Sequence, residues 1–391
     1  MTDLRSLGIQ NGLKERLVEL RRSIHREPEL AFKEERTAEK LEAALKQLGV
    51  SDVTRVAGTA VIGRIRGRDK HAPVIAIRGD IDALPINEET GLPFASERKG
   101  VMHACGHDVH ATWAVGAAAL LAAEPARGDT IVVLQPAEEI GRGAAAVLES
   151  GALDGVAAIF GGHVDRRFEL GQVVADAGPL AASADMFEIE LVGQGAHAAR
   201  PHEANDPIVA ASALVMAIQT IVSRRLNPAT PGVVTVGQIA AGNAPNVIPD
   251  RASLSGTIRA VDPASRKLML DELKRLAGSI GESYGVRATI SIPEGTPPLV
   301  NSDQAAAWGR EAVSRVLGKD ALVPLGFLNL AGEDFAYYLE RMPGCFLRIG
   351  AREAGGKPIP AHSPRFYPAE DSIFVGAAVL AECARVAAQP K

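Results

Sequence analysis

The chain has 391 residues, of which 47% are apolar and 23% charged, with a formal net charge of -5. That length exceeds the size at which one hydrophobic core keeps growing, so two domains are expected. The mild acidity gives no electrostatic case for nucleic acid or an anionic membrane surface, which leaves small-molecule chemistry as the starting point.

The opening Met1-Thr2-Asp3-Leu4-Arg5-Ser6 lacks the apolar core of a signal peptide, and no later run reads as membrane-spanning. Residues 13–25 and 34–48 carry apolar side chains at three- and four-residue spacing, which predicts two amphipathic helices. Residues 73–78 are apolar and β-branched and break at Gly79-Asp80, a buried strand ending in a polar loop. Asp108 is expected to cap a helix running through Ala122. Then come a strand at 130–134, a helix at 141–150, and a strand at 156–160 that ends at Gly161-Gly162-His163. Strands alternating with helices imply an α/β fold with a largely parallel sheet, whose ligands collect at the carboxyl ends of the strands.

Near residue 182 the pattern changes. Residues 186–192 alternate apolar and polar, Asp206-Pro207 opens a helix to about 224, and strands follow near 232–240 and 252–259. A helix from 263 to about 284 and a strand at 287–292 complete the order β-α-β-β-α-β, a ferredoxin-like arrangement. The α/β pattern resumes after the proline-rich 293–298, with helices near 302–317 and 371–388. The expected organisation is a catalytic domain in two parts, 1–181 and 295–391, with 182–294 inserted between them. Three cysteines, Cys105, Cys345 and Cys383, are too few and odd in number for a disulfide framework, so a reducing, cytoplasmic compartment is expected.

The chemistry concentrates in two segments, Met102-His-Ala-Cys-Gly-His-Asp-Val-His110 and Gln135-Pro-Ala-Glu-Glu139. Thiolate, imidazole and carboxylate are the side chains that bind zinc and its neighbours, so the pair points to hydrolysis at a metal centre. If the first segment is extended, Cys105 and His107 face the same way, with His103 a rival on that face; His110 lies one helical turn from His107. Glu138 and Glu139 diverge, so one can bind metal while the other carries a proton. His163 and His362 are each open between ligand and surface residue. Asp80 and Asp82 read either as turn formers or as groups orienting ligand imidazoles. A single zinc held by Cys105, His107 and His110 is the simpler alternative.

These two segments, with Gly195-Ala-His-Ala-Ala199, Pro201-His202, Asn246-Val-Ile-Pro-Asp250, Gly332-Glu-Asp-Phe335 and His362-Ser-Pro364, resemble the aminoacylase and carboxypeptidase family of two-metal amidohydrolases. The branch is the one containing hippurate hydrolases, auxin-conjugate hydrolases and N-acetyl-diaminopimelate deacetylases, and the likeness runs over roughly residues 12–385. The resemblance implies metal ligands at Cys105, His107, Glu139, His163 and His362, with Cys105 bridging and Glu138 as general base. It also implies a homodimer formed through the inserted domain, His197 reaching the partner's active site to help stabilise the oxyanion, and Asn246 and Arg259 holding the substrate's carboxylate end. Two divalent ions per chain are expected, zinc or manganese first, with cobalt or nickel tolerated. The expected reaction is amide hydrolysis of an N-acyl or N-aroyl amino acid, with a dipeptidase or carboxypeptidase as the alternative. Three departures from the branch stand out: Gly79 for alanine and Ala331 for glycine, both expected to be neutral for catalysis, and Asp165-Arg166-Arg167 in place of a segment that often contains proline.

Overall fold

The computed structural model describes residues 7–50, 52–328 and 330–389; the opening Met1–Ser6 lies outside them. In chain order the first elements are α1 (Asn11–Arg26), α2 (Glu35–Gln47), β1 (Asp52–Val56), β2 (Ala60–Ile65), β3 (Val74–Asp80), α3 (His107–Ala123), β4 (Thr130–Gln135), α4 (Gly143–Glu149) and β5 (Val156–Glu169). There follow β6 (Val173–Val174), β7 (Gly178–Ala181), β8 (Asp185–Val192), β9 (Ala196–His197), α5 (Pro207–Thr220), β10 (Gly232–Ala241), β11 (Val247–Ile248), β12 (Arg251–Ala260), α6 (Pro263–Ser283) and β13 (Arg287–Ser291). The chain closes with β14 (Leu299–Asn301), α7 (Asp303–Leu317), α8 (Ala336–Arg341), β15 (Gly344–Arg352) and α9 (Ser372–Ala387).

The contacts divide into two compact units. One comprises Met1–Gly178, Asn301–Phe327 and Asp334–Lys391; the other comprises Pro179–Val300 and takes in Leu328–Glu333, a stretch far beyond residue 294.

Among the described residues of the first unit, seven strands form a sheet in the order β1-β2-β4-β3-β5-β15-β6. The four middle strands run parallel, while β1, β2 and β6 are antiparallel to their neighbours. Parallel strands need both faces covered. Accordingly β4 is buried along its whole length, and α3 and α9 are buried nearly all round.

Two expectations fail here for physical reasons. Asp108 does not cap α3: the residue preceding the helix is Gly106, in the left-handed region at φ 90°, and the Asp108 carboxylate instead accepts from Arg21 at 2.6 Å and His25 at 2.8 Å. A buried carboxylate gains more from a guanidinium than from an amide N–H. Nor does β5 stop at the glycine pair; it continues to Glu169, because pairing with β15 carries through Gly161, Gly162 and His163.

In the second unit, β8, α5, β10, β12, α6 and β13 follow one another, and the strands form an antiparallel sheet in the order β10-β12-β8-β13. β8 alternates buried and exposed residues as its sequence predicts. Asp206 caps α5 and Asp262 caps α6, each followed by proline. One expectation is corrected: Pro207–Arg225 is long and apolar enough to cross a membrane by length and composition. One stripe of it, Ala210, Ala211, Leu214, Ile218 and Ile221, packs into the unit's own core, which is how a sheet-covering helix behaves.

Candidate metal centre

Four segments of the first unit deliver side chains to one place. β3 ends at Asp80, with Asp82 two residues on, the loop before α3 supplies Cys105, and the first residue of α3 is His107. The turn after β4 supplies Glu138 and Glu139, and mid-β5 supplies His163. A fifth, the loop carrying His362, is tied down by its backbone N–H donating to the Ala104 carbonyl at 2.8 Å. Backbone strain marks the same places: Ala137 sits at φ 56° and His362 at φ 66°, a conformation that costs of order 1–3 kcal/mol and persists where the surroundings over-determine it. Around Ala137 the determining group is the buried Glu34 carboxylate, which accepts from its N–H at 3.0 Å and from the Thr59 hydroxyl at 2.6 Å.

The ligand atoms converge. Cys105, His107 and His163 form one set whose ligand atoms lie within 4.8 Å of one another; Cys105, Glu139 and His362 form a second, and His107, Glu138 and Glu139 a third. Cys105 Sγ is 3.2 Å from His163 Nε2, and His362 Nε2 is 3.3 Å from Glu139 Oε2. His107 Nε2 is 3.8 Å from Glu138 Oε2 and 3.9 Å from Glu139 Oε1. Ligands at zinc's usual bond lengths stand about 3.3–3.8 Å apart around a tetrahedral ion. Moreover, His107 Nε2 and Glu139 Oε1 are buried and make no hydrogen bond among the described residues. Two polar atoms left unpaired and facing each other cost free energy unless a cation lies between them, so the donors present fit a divalent ion.

The orientation of these groups is held from behind. His107 Nδ1 faces the Asp82 carbonyl at 2.9 Å and the Asp82 carboxylate at 3.1 Å; a carbonyl only accepts, so Nδ1 carries the proton and Nε2 presents its lone pair. The other Asp82 oxygen accepts from the Glu139 N–H at 3.0 Å. One carboxylate thus positions two of the candidate ligands. His163 is set in the same way by the Val164 carbonyl at 2.7 Å.

Asp80 has a different role. It pairs with the buried Arg78 and accepts from His110 Nδ1 at 2.6 Å, while His110 Nε2 accepts from the Val164 N–H at 3.0 Å. Both His110 nitrogens are engaged, which removes it as a ligand and with it the single-zinc alternative of Cys105, His107 and His110. His103 belongs to none of these ligand sets and lies against His25 with ring centroids 6.2 Å apart.

Electrostatics agree with a cation site. Burial and the carboxylates of Glu139 and Glu138 push the Cys105 thiol well above its ordinary range, an effect a metal charge reverses. Burial alone would lower His107, but Asp80, Asp82 and Cys105 outweigh it and raise it well above the usual value. The same acidic cage that holds a proton at Nε2 favours a metal there, and the two compete. Burial, with His110 and Arg348, keeps His163 neutral.

A family model for Peptidase family M20/M25/M40 matches residues 76–386. The chain belongs to that family. It is 41% identical over 340 residues to an N-acetyl-L-cysteine deacetylase of Bacillus subtilis, covering 86% of this chain and 81% of that one. It is 37% identical to IAA-amino acid hydrolase ILR1-like 4 of Arabidopsis thaliana, covering 97% of this chain and 87% of that one. Among solved structures, the YXEP protein of B. subtilis, described as a dinuclear metal binding peptidase of the M20 family, superposes with a TM-score of 0.85 at 36% identity, covering 97% of this chain and 99% of that one.

The remaining candidates lie in the second unit. His197, on β9, and Asn246, just before β11, are exposed neighbours: Asn246's carbonyl accepts from Ala198 at 3.1 Å, and His197 pairs with Val247. His197 Nδ1 accepts from the Ala199 N–H at 3.1 Å, so Nε2 carries the proton and can donate. Arg259 is half-buried on β12, in another sheet.

Sequence reasoning missed Glu34, an ordinary acid at a helix start, and gave Asp334, quoted within Gly332-Glu-Asp-Phe335, no role. The latter accepts from Arg78, Gln135 and the Ala144 N–H, with Gln135 in turn accepting from Tyr338. This buried network lies beneath the β4 turn, and no sequence neighbour of Asp334 signals which segments it joins.

Proposed function

We propose that this M20-family enzyme hydrolyses the amide bond of N-acyl or N-aroyl amino acids, releasing a carboxylic acid and a free amino acid. The observation that carries the reading is the facing pair of buried, unpartnered atoms, His107 Nε2 and Glu139 Oε1, within a cage of Cys105, Glu138, His163 and His362. The names of the two relatives, a deacetylase and an amino acid conjugate hydrolase, support an acylated amino acid as substrate.

His107, Glu139, His163 and His362 would hold two divalent ions, zinc or manganese, with Cys105 shared because it belongs to both the imidazole set and the Glu139–His362 set. When bound, such ions supply Lewis acidity toward a carbonyl and lower the pKa of water. Glu138 stands 3.8 Å from His107 Nε2 and is the carboxylate beyond the Cys105 sets. It takes the water's proton and returns it to the leaving nitrogen, work generally worth about 10²–10⁴ in rate. His197 donates from Nε2 to the oxyanion developing in the partner's active site, and Asn246 with Arg259 receives the α-carboxylate.

The insert, residues 182–294 within the second unit, is ferredoxin-like and makes a homodimer. Its sheet order and βαββαβ succession support the first part of that statement. The second is supported by β10, which lies at the sheet edge, and by the exposed Ile208, Val209, Met216, Val233 and Ile239 on α5 and β10. The three cysteines are free and buried, which suits a cytoplasmic setting. Metal analysis with kinetics tests the catalytic reading. The wild type is expected to carry two ions per chain, and Glu138→Gln to keep both while losing turnover; a metallated, active Glu138→Gln variant refutes the role.

A further inference from the structure

The segment Asp165-Arg166-Arg167 follows the candidate ligand His163 along β5, and its two arginines are used differently. Arg166 is spent on the fold: it is buried, pairs with Glu353 at 2.7 Å, bonds to the Tyr367 carbonyl at 2.9 Å and stacks on the Tyr367 ring. Glu353 is held down to about 2 by that pairing. Arg167 is exposed over 45% of its side chain yet is fixed in place. Its Nε lies 2.9 Å and 3.1 Å from the two oxygens of the buried Asp165, and one terminal nitrogen lies 2.6 Å from Asp165 Oδ2. The guanidinium carbon sits 3.6 Å over the Phe327 ring. Its other terminal nitrogen, Nη1, makes no hydrogen bond among the described residues. The result is a pre-oriented donor with one edge toward solvent.

Side chains alternate along a strand, so His163 and Asp165 share a face; the pairing with β15 slips beyond Asp165, and the Arg167 guanidinium meets that face through its bonds to the Asp165 carboxylate. At about 3.3 Å per residue, Asp165, and the guanidinium folded onto it, stand roughly 7 Å along that face from His163. The side chain of a dicarboxylic amino acid, or a dicarboxylic acyl group, spans a comparable distance. We infer that Arg167 reads a second carboxylate on the substrate, at Nη1, and so makes this enzyme selective for acyl amino acids bearing an additional anion. The inference rests on the amidohydrolase reading above. Asp165 cancels the long-range charge, so recognition comes from a directional, charge-assisted hydrogen bond, and the preference is modest, about tenfold.

The test compares N-acetyl-glutamate with N-acetyl-glutamine, and N-succinyl-leucine with N-acetyl-leucine, in wild type, Arg167→Gln and Arg167→Lys. The wild type is expected to favour the dianion in one of the pairs, and that pair locates the second carboxylate. Arg167→Gln is expected to lose the preference about tenfold, mainly in KM, with Arg167→Lys intermediate because a point charge lacks the planar fork. If Arg167 is only a strap holding Phe327, the variants shift the unfolding midpoint without moving the dianion-to-neutral ratio, which overturns the inference. Calorimetric binding of the same four compounds to Glu138→Gln, with and without Arg167→Gln, reads the ratio where no turnover occurs. A preference that persists without Arg167, or is absent with it, also overturns the inference. Absence of hydrolysis by the wild type alone counts instead against the amidohydrolase reading.

Discussion

Replacing Asp82 by alanine separates holding a metal from orienting its ligands. In the wild type one Asp82 oxygen faces His107 Nδ1 at 3.1 Å and the other accepts the Glu139 N–H at 3.0 Å, while the residue's own carbonyl bonds Nδ1 at 2.9 Å. Alanine keeps the carbonyl, so His107 retains its tautomer, but the ring loses its second anchor and Glu139 loses the bond that aims it. Loss of such outer partners typically weakens metal binding about 10–100-fold, or roughly 1.4–2.7 kcal/mol. The unpaired Glu139 N–H adds a folding cost of about 1–3 kcal/mol. Asparagine has one accepting oxygen where aspartate has two, so Asp82→Asn should keep one bond and fall between. Competition with a chromophoric chelator measures the affinity, and urea unfolding of metal-free protein measures the folding cost. Affinity within twofold of wild type in Asp82→Ala, with the fold intact, refutes the argument.

Gly79→Ala, which restores the residue usual in the branch, should destabilise this chain by about 1–3 kcal/mol, because the added Cβ would lie 2.3 Å from the His110 carbonyl oxygen on α3; a lowered urea midpoint checks it. His25 is buried, which lowers its pKa, yet Asp108 and the Glu88 hydrogen bond outweigh burial and raise it above 6.5. Its contribution to stability is therefore complete below pH 6.5 and fades as pH rises through the raised value. The stability gap between wild type and His25→Gln, followed by urea unfolding across pH, should shrink in that direction; a widening gap counts against the pairing. Met216→Glu with Ile239→Lys, which charges the exposed face of α5 and β10, should halve the mass seen by light scattering while leaving circular dichroism unchanged.

Gly79 and Arg167 show how differently departures from a family pattern behave. At Gly79 the glycine, expected to be neutral for catalysis, is also a packing requirement, which the sequence does not reveal because the distance from β3 to the α3 backbone is not written near residue 79. At residues 165–167 the change in charge was visible in the sequence. That Arg166 is buried against Glu353 and Tyr367 while Arg167 lies over Phe327 with an edge toward solvent depends on residues far along the chain.

What the amino-acid sequence determined by itself is local. Periodicity marked the amphipathic helices and the alternating β8, capping residues with proline marked the starts of α5 and α6, and covalent neighbourhood put Cys105 beside His107 and Glu138 beside Glu139. What only the tertiary structure decided is which side chains from separate segments meet. It sent Asp82 to His107 and Glu139 and Asp80 to Arg78 and His110, closed both nitrogens of His110, carried β5 past His163, and brought Glu34 under Ala137. Those outcomes depend on strand order and register across the sheet, where residues distant in sequence become neighbours, and no window of adjacent residues contains that information.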